Sequence, residues 1–430
     1  MTTLLASQGW DAINQSDDEW ITPGYSVATL HQIDPVDYAG SNMSETRDVL
    51  SLQCYSVFVD TPDGDKWRVI LLFGDKLVLL QEDSEVREFS IPDPGARDMR
   101  ISPNGRWCIV TYRPHNLDDG VNWIERESRR ELFDLDTGDR YNLDQIRLTQ
   151  DFALVSDNGE LLVIRQECWE FNFIQGIAFY NPISGNIKEI EYFFGNGQYY
   201  SRSADGSLTI VTESADQGYL RAYDSRWHQV WRIPAQGHSE PIITPDGELV
   251  YLVWGTGLTV LDGDTGRTIS KLFGGRNIRL PVLSSGGMYL AFEMFEYPDS
   301  TCQASNWFIV APVSSWLDDH RVIQLDLDPE IWAVPFPEGI SDTGNVLFRV
   351  YSPWRSTFRK WGLLDNTGNL IWFSETFMTP GDPDPETGYD ERSFAWFNKD
   401  NPHAISSDGS RIIYGTMDHI VIAEIIPNSD

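Results

Sequence analysis

"TPDGELVYLVWGTGLTVLDGDTG", residues 244–266, carries two different turns, one on each side of a pair of apolar runs. The first, Thr-Pro-Asp-Gly, places a glycine where a β-hairpin needs positive φ and an Asp just before it, which suits a type I′ or G1-bulge turn. The second, Asp-Gly-Asp-Thr-Gly, ends in a glycine again, and its first Asp is placed to cap the turn with its own side chain. The stretch therefore reads as turn, strand, short loop, strand, turn. A neighbouring strand on either side makes four antiparallel strands.

The same pair of turns recurs along the chain. The first type opens "TPDGDKWRVILLF", "SPNGRWCIVTY", "SDNGELLVIR", "SADGSLTIVTE", "TPDGELVYLVW", "SSGGMYLAFEM", "SDTGNVLFRVY" and "SSDGSRIIYGT", starting at residues 61, 102, 156, 203, 244, 284, 341 and 406. The second recurs in "LFDLDTGDRYNL" from 132, "FYNPISGNIKEI" from 179, "RAYDSRWHQVWRIP" from 221, "VLDGDTGRTISKL" from 260 and "LLDNTGNLIWFSE" from 363. Each unit reads strand A, Asp-Gly turn, strand B, variable loop, strand C, Asx/Thr-Gly turn, strand D. Four antiparallel strands per unit, repeated along the chain, are the signature of an all-β fold, the β-propeller. Eight Asp-Gly hairpins predict eight blades, with seven as the main alternative. Residues 42–50, "NMSETRDVL", read as one short capped helix.

"GHSEPIITPDGELVYLVWGTGLTVLDGDTG", residues 237–266, resembles a WD-type repeat in its Gly-His opening and Pro-Asp-Gly turn, without that family's closing Trp-Asp. "AYDSRWHQVW" (222–231) and "LLDNTGNLIW" (363–372) resemble the tryptophan-docking turns of quinoprotein-like (PQQ-repeat) propellers. That resemblance implies that Trp231 and Trp372 pack against a neighbouring blade. Quinoproteins that hold their cofactor have an adjacent cysteine pair, and no Cys-Cys occurs here, so no cofactor is expected.

The final unit, "HAISSDGSRIIYGTMDHIVIAEIIPNSD", supplies strands A, B and C and then stops. A propeller leaves no such edge open, so another segment is expected to complete the blade. "YSVATLHQI", residues 25–33, is the best candidate. Residues 1–51 are accordingly read as an N-terminal arm and residues 52–430 as the propeller.

Charge sets the surface. Sixty-five Asp and Glu against 32 Lys and Arg give a net charge of −33, with 41 Asp to 24 Glu and 26 Arg to only 6 Lys. Excess Asp with scarce Lys suits a surface that stays hydrated in concentrated salt, where repulsion between like charges is screened. A dedicated acidic surface for a basic partner is the alternative. The acids are spread along the chain rather than gathered in runs, which favours the first reading. Duplex nucleic acid, which needs a broad basic face, is excluded as a partner under either. No apolar run is long enough to cross a bilayer, and the opening "MTTLLASQGWDAINQSDDEW" lacks the basic n-region and apolar core of a signal peptide. Cys54, Cys108, Cys168 and Cys302 lie far apart with no CxxC pair and read as buried free thiols, which points to a reducing cytoplasm.

Enzyme signatures are absent: there is no GxSxG, HExxH or P-loop. The seven histidines stand singly. Asp134/Asp136 and Asp262/Asp264 sit in hairpin turns and Asp326/Asp328 in a loop; the turn reading prevails over calcium for the first two pairs, and no metal site is expected. The A–B and C–D turns belong to one face of a propeller and are minimal here. The extra residues fall in B–C loops and inter-blade connections on the other face: 113–131, 167–173, 295–306, 328–339, 352–361 and 374–403. Long insertions on an economical scaffold carry function. The aromatic and basic island "SPWRSTFRKW" (352–361) stands out in so acidic a chain. Trp123, Trp169, Trp354, Arg355, Phe358, Arg359, Trp361 and Trp396 are the candidate partner-binding residues, because Trp and Arg dominate interface centres. The bland reading is that Phe358 and Trp361 pack beneath their own loop. A second set, Arg97, Arg100, Arg147, Arg202, Arg276 and Arg279, leads into the innermost strands. These arginines either converge on an anion at the channel mouth or bridge neighbouring blades.

The expected function is a non-catalytic propeller scaffold that binds a protein partner through its long-loop face. The rival is a small-ligand or enzymatic propeller using the arginine-lined mouth. Salt adaptation has its own consequence. The melting temperature should rise steeply between low-salt buffer and molar KCl, whereas a melting temperature already maximal at low ionic strength would tie the acidity to a basic partner instead.

Overall fold

The computed structural model describes residues 3–5, 19–39, 53–61, 64–73, 75–91, 96–112, 129–143, 153–169, 172–194, 200–213, 218–234, 241–253, 257–272, 274, 277–296, 305–313, 321–324, 334–351, 359–374, 403–416 and 419–428. It is an eight-bladed β-propeller of four-stranded antiparallel blades. The chain divides into two compact units, with the boundary inside blade 1.

One unit holds residues 51–53 and 70–274 and contains blades 2 to 5. Blade 4 shows the plan: strand A is Tyr200–Arg202, B Leu208–Glu213, C Tyr219–Asp224 and D Gln229–Pro234, in that spatial order. Strands B and C alternate apolar residues toward both neighbouring blades and are buried, while strand D is half exposed. That is the burial expected of a sheet packed on both faces with one edge in solvent. Leu208, Ile210, Leu220, Ala222 and Trp231 of blade 4 form one apolar cluster with Ile243, Val250, Leu252 and Leu261 of blade 5.

The other unit comprises residues 1–50, 54–69 and 275–430 and contains blades 6 to 8. Blade 8 has strands A to C at His403–Ile405, Arg411–Gly415 and Ile420–Pro427. Its fourth strand is Tyr25–Ile33, which runs antiparallel to Ile420–Pro427 from Tyr25 opposite Pro427 to Ile33 opposite Ile420. The N-terminus thus completes the last blade. The arm does more: Thr3–Leu5 adds a parallel fifth strand to blade 6, and Trp20–Ile21 adds an antiparallel one to blade 7. The described helix is the short Val36–Ala39; the helix expected at 42–50 falls outside the described residues.

The Asp-Gly turns have one construction. Each turn glycine, from Gly64 to Gly409, takes a φ between 67° and 103°. In blades 2 to 8 the residue that opens the turn is a buried Ser or Thr: Ser102, Ser156, Ser203, Thr244, Ser284, Ser341 and Ser406. Its carbonyl accepts the N–H of the turn glycine, as in Gly206 N to Ser203 O at 3.0 Å. Its hydroxyl accepts an N–H from the start of strand B: Trp107 N to Ser102, Leu208 N to Ser203, Leu249 N to Thr244, Tyr289 N to Ser284 and Arg411 N to Ser406, all at 2.9–3.0 Å. A small buried hydroxyl thereby satisfies the first strand amide beyond the turn, which would otherwise be lost to water and unpaired.

The turns also hold hands. Within the first unit, Asn104 N donates to Asp157 Oδ1 at 2.8 Å and Asp205 N to Pro245 O at 3.2 Å. Within the second, Gly286 N donates to the Asp342 carboxylate at 3.0 Å, Asp342 N to Ser407 O at 2.8 Å, and Ser407 N to Asp65 Oδ2 of the first hairpin. Deleting residues 1–35 removes one whole strand and two strand additions. It should lower the melting temperature by about 10 °C or more, a change read by circular dichroism, since each kcal/mol is worth a few degrees at most in a chain this long.

Candidate functional site

Strand A is the inner strand of each blade, and its residues just ahead of the Ser/Thr turn are where the sequence pointed to an arginine cluster. Arg202, the last residue of strand A in blade 4, has a guanidinium only 4% exposed. It donates to Glu160 Oε2 at 2.8 Å and lies 4.5 Å from the centre of the Trp227 ring. Trp227 in turn stacks on Phe179 with ring centres 3.4 Å apart and planes 20° from parallel. Glu160 and Phe179 belong to blade 3, and Arg202 and Trp227 to blade 4. Burial pulls the Arg202 pKa down, opposed by its bond to Glu160. Arg202 is therefore a bridge between blades, the second of the two roles the sequence left open for it, with its charge engaged by the half-buried Glu160 carboxylate.

Of the other inner-strand arginines, Arg100 is exposed in the strand Ala96–Ile101. Arg97 and Arg279 are placed on their strands by backbone alone, and Arg147 and Arg276 lie outside the described residues.

A charged group the sequence reading did not assemble lies on blades 7 and 8. Glu338, on strand A of blade 7 (Val334–Ile340), accepts a hydrogen bond from Arg349 Nη2 of strand B (Val346–Tyr351) at 2.7 Å. His403 Nε2, at the start of strand A in blade 8, is 3.7 Å from the other Glu338 oxygen. The His403 ring centre is 5.9 Å from that of Trp361, and Arg349 lies 5.9 Å from the same indole. Glu338, Arg349 and His403 keep 18%, 25% and 32% of their side chains exposed. Arg349 Nε is buried without a hydrogen-bond partner among the described residues. The group holds one carboxylate with a guanidinium on one oxygen and an imidazole near the other. His403 and Glu338 are 65 positions apart, and no spacing rule joins them. The register shift of this strand A between Pro337 and Gly339 is shared with the inner strands of blades 2 and 6, at Ala96/Asp98 and Arg279/Val282.

The partner-binding candidates divide. Trp361 is fully buried, and its indole N–H donates to Gly415 O of blade 8 at 2.9 Å. It belongs to the apolar cluster between blades 7 and 8, so its assignment to a binding surface is corrected: the strand Arg359–Leu364 reaches further into the 352–361 island than a loop reading allows. Lys360 is buried beside it. Residues 167–169 and 172–173 are likewise strand rather than loop, since Leu161–Trp169 pairs with Asn172–Asn181 down to Trp169 opposite Asn172. Trp169 and Arg359 are described by backbone only, and Trp123, Trp354, Arg355, Phe358 and Trp396 lie outside the described residues.

The two docking tryptophans pack as the repeat implied. Trp231 Nε1 donates to Gly263 O at 2.6 Å, and a Cβ on Gly266 would sit 2.7 Å from its ring. Trp372 lies 4.9 Å, ring to ring, from Tyr414 of blade 8, while its N–H is taken by Glu19 of the arm at 2.7 Å. The acidic pairs serve their turns. Asp134 accepts from Arg106 at 2.7 Å and from the Asp136 amide at 3.0 Å, and Asp262 accepts from the Thr265 amide at 2.8 Å. Among the described residues no three His, Cys, Asp or Glu side chains gather to hold a metal. Cys54 and Cys108 are buried free thiols, and burial pushes the Cys54 thiol far up.

Carboxylates in the turns titrate in opposite directions. Burial raises Asp205 and Asp408, but hydrogen bonds from Ser203 and Ser207, and from Ser406 and Ser410, outweigh it and hold both below the usual carboxylate range. Their contribution to stability is present above the unfolded pKa and lost as pH falls through the folded one. Asp157 is pushed up, by burial first and by Asp205 second, so its effect has the opposite sign and is lost as pH rises through its folded pKa.

No known protein-family signature matches the chain, and no curated protein sequence matches it. Solved structures do. A eukaryotic initiation factor is 12% identical over 75% of this chain and 87% of its own, with a TM-score of 0.46. An oligogalacturonate lyase in complex with manganese is 10% identical over 88% and 97%, at 0.45. The β-propeller domain of the Trilobed protease from Pyrococcus furiosus, described as having an open velcro topology, is 13% identical over 75% and 97%, at 0.43. At such identities and scores the likeness carries nothing about activity.

The bridge assignment of Arg202 predicts a stability effect. Arg202→Met, which strands Glu160, should cost about 3 kcal/mol in urea unfolding, and Arg202→Met/Glu160→Gln should recover part of that loss.

Proposed function

We propose that the protein is a non-catalytic propeller scaffold that engages a protein partner through the face bearing its B–C loops and inter-blade connections. The supporting observation is how the opposite end is used. There the turn amides, hydroxyls and carboxylates are spent on one another from blade to blade, as in Asn104 to Asp157 and Asp342 to Ser407. That end holds the blades together and spends few residues on anything else. In sequence the surplus residues fall between strands B and C and between blades, around Trp123, Trp169, Trp354, Arg355, Phe358, Arg359 and Trp396, and these are the proposed contacts.

Degenerate WD-repeat or quinoprotein-like ancestry is part of this reading, carried by the Gly-His opening at 237–238 and by the docking of Trp231 and Trp372. So is a cytoplasmic location, which the buried free thiols of Cys54 and Cys108 suit. The second reading, a small-ligand or catalytic propeller, is favoured by one observation: Glu338 and His403 on the inner strands, with Arg349 on the strand beside them, remain partly open to solvent.

Capture from native extract at high salt separates the two. The wild type should retain a partner that Trp354→Ala/Arg355→Ala/Phe358→Ala loses, with unchanged circular dichroism. An identical co-purifying set for both proteins would remove the long-loop interface. Loss of the same partner on Glu338→Gln/Arg349→Met would move the site to the inner strands.

A further inference from the structure

The outer strands of blades 1 to 6 each carry a lysine or arginine, and the strand added to blade 6, Thr3–Leu5, pairs with Val322–Gln324 and stops short of Arg321. A cation on an edge strand opposes addition of another strand, because pairing would bury its charge. Strand D of blade 7, Leu370–Phe373, reads Leu-Ile-Trp-Phe and has none. It is also fully buried, with the four residues 1%, 2%, 0% and 0% exposed. In blade 4, by contrast, Val230 on the outer strand is 44% exposed.

The N-terminal arm covers this edge. Trp20 stands opposite Phe373 and Ile21 opposite Trp372, and Thr22 N donates to Ile371 O at 2.9 Å. Trp372 Nε1 donates to Glu19 Oε1 at 2.7 Å, and Ile21 packs against the cluster holding Trp361, Ile371 and Trp372. The cover is short. Two residues pair, and the chain then turns through Tyr25 N to Thr22 O into the strand of blade 8. The edge thus has backbone groups, an indole donor and an apolar shelf matched to an extended Glu-x-Ile-Thr segment, and it carries no lysine or arginine.

We infer that the outer edge of blade 7 is a strand-addition site, filled in cis by residues 19–22, whose partner in trans is the same segment of a second copy of this chain. A second copy is the occupant the page supports, because its arm brings the identical contacts with no new complementarity required. Exchange of the arm then converts a closed monomer into a dimer in which each arm covers the other's blade 7. The clasp of blade 8 by Tyr25–Ile33 is a separate, nine-residue pairing, so the two roles of the arm can be tested apart.

The test uses protein lacking residues 1–22, which keeps the clasp, and a fluorescent peptide of residues 16–23, SDDEWITP. Truncated protein should bind the peptide saturably by anisotropy, and full-length protein at least tenfold more weakly. Full-length protein concentrated, warmed below its transition and cooled should show a dimer by light scattering that excess unlabelled peptide suppresses. A peptide with Thr22→Pro, which cannot donate to Ile371, should not bind. Absence of peptide binding by truncated protein of native circular dichroism overturns the inference, and so does equal binding by the full-length chain. Should the truncation fail to fold, full-length Glu19→Ala/Thr22→Pro, with its arm loosened but attached, should gain peptide binding, and failure to do so is equally decisive.

Discussion

The fold depends on a buried hydroxyl. In five blades a buried Ser or Thr that opens the A–B turn accepts an amide from strand B with its side chain while its own carbonyl accepts the glycine amide. Net, such a bond contributes about 1 kcal/mol, but leaving the amide unpaired in the same place costs about 1–3 kcal/mol, so the position tolerates little else. The turn so tightened brings the next backbone amide to the neighbouring blade. One local device therefore sets both the hairpin and the spacing of blades. Its repetition accounts for the regularity of the fold.

On the outer edge of blades 1, 3 and 4 the device is different, and it is supplied by whatever long donor the outer strand offers. Trp231 gives its indole N–H to Gly263 O, Lys188 its ammonium to Arg226 O, and Arg87 its guanidinium to Leu135 O and Asp136 O. Three unrelated side chains thus meet the same acceptor, a carbonyl in the C–D turn of the following blade. This is why the docking tryptophan can be absent from one repeat and present in another without loss of the fold. It also explains where much of the scarce cationic charge went: into holding turns and guarding edges.

These uses constrain function more than the fold class does, since one fold hosts many activities. Charge that reads as available in a sequence, such as Arg202, is found neutralised by Glu160 and stacked on an indole. Aromatic residues that read as a binding surface, such as Trp361, are found between blades. On strands A and B of blade 7 and strand A of blade 8 stands the partly open Glu338, Arg349 and His403 group.

The repeat of turns by itself determined the propeller, the eight blades and the missing outer strand that Tyr25–Ile33 supplies, because hairpin turns are local: their requirements for positive φ and a capping oxygen are met within four or five residues. The same local logic placed Asp134 and Asp262 in turns, where each accepts a turn amide. The leading Ser or Thr was visible in every repeat, yet its importance was not, since its burial and its partner exist only once strand B folds back. Tertiary structure alone decided the rest. Whether a charge is free or bridged depends on a partner 42 residues away for Arg202 and 65 for Glu338 with His403. Whether an apolar edge is open or covered depended on residues 19–22 meeting residues 371–373 from the far end of the chain. Pairings at such separation leave no periodic trace in sequence, because they are fixed by the register of one blade against the next rather than by any spacing along the strand.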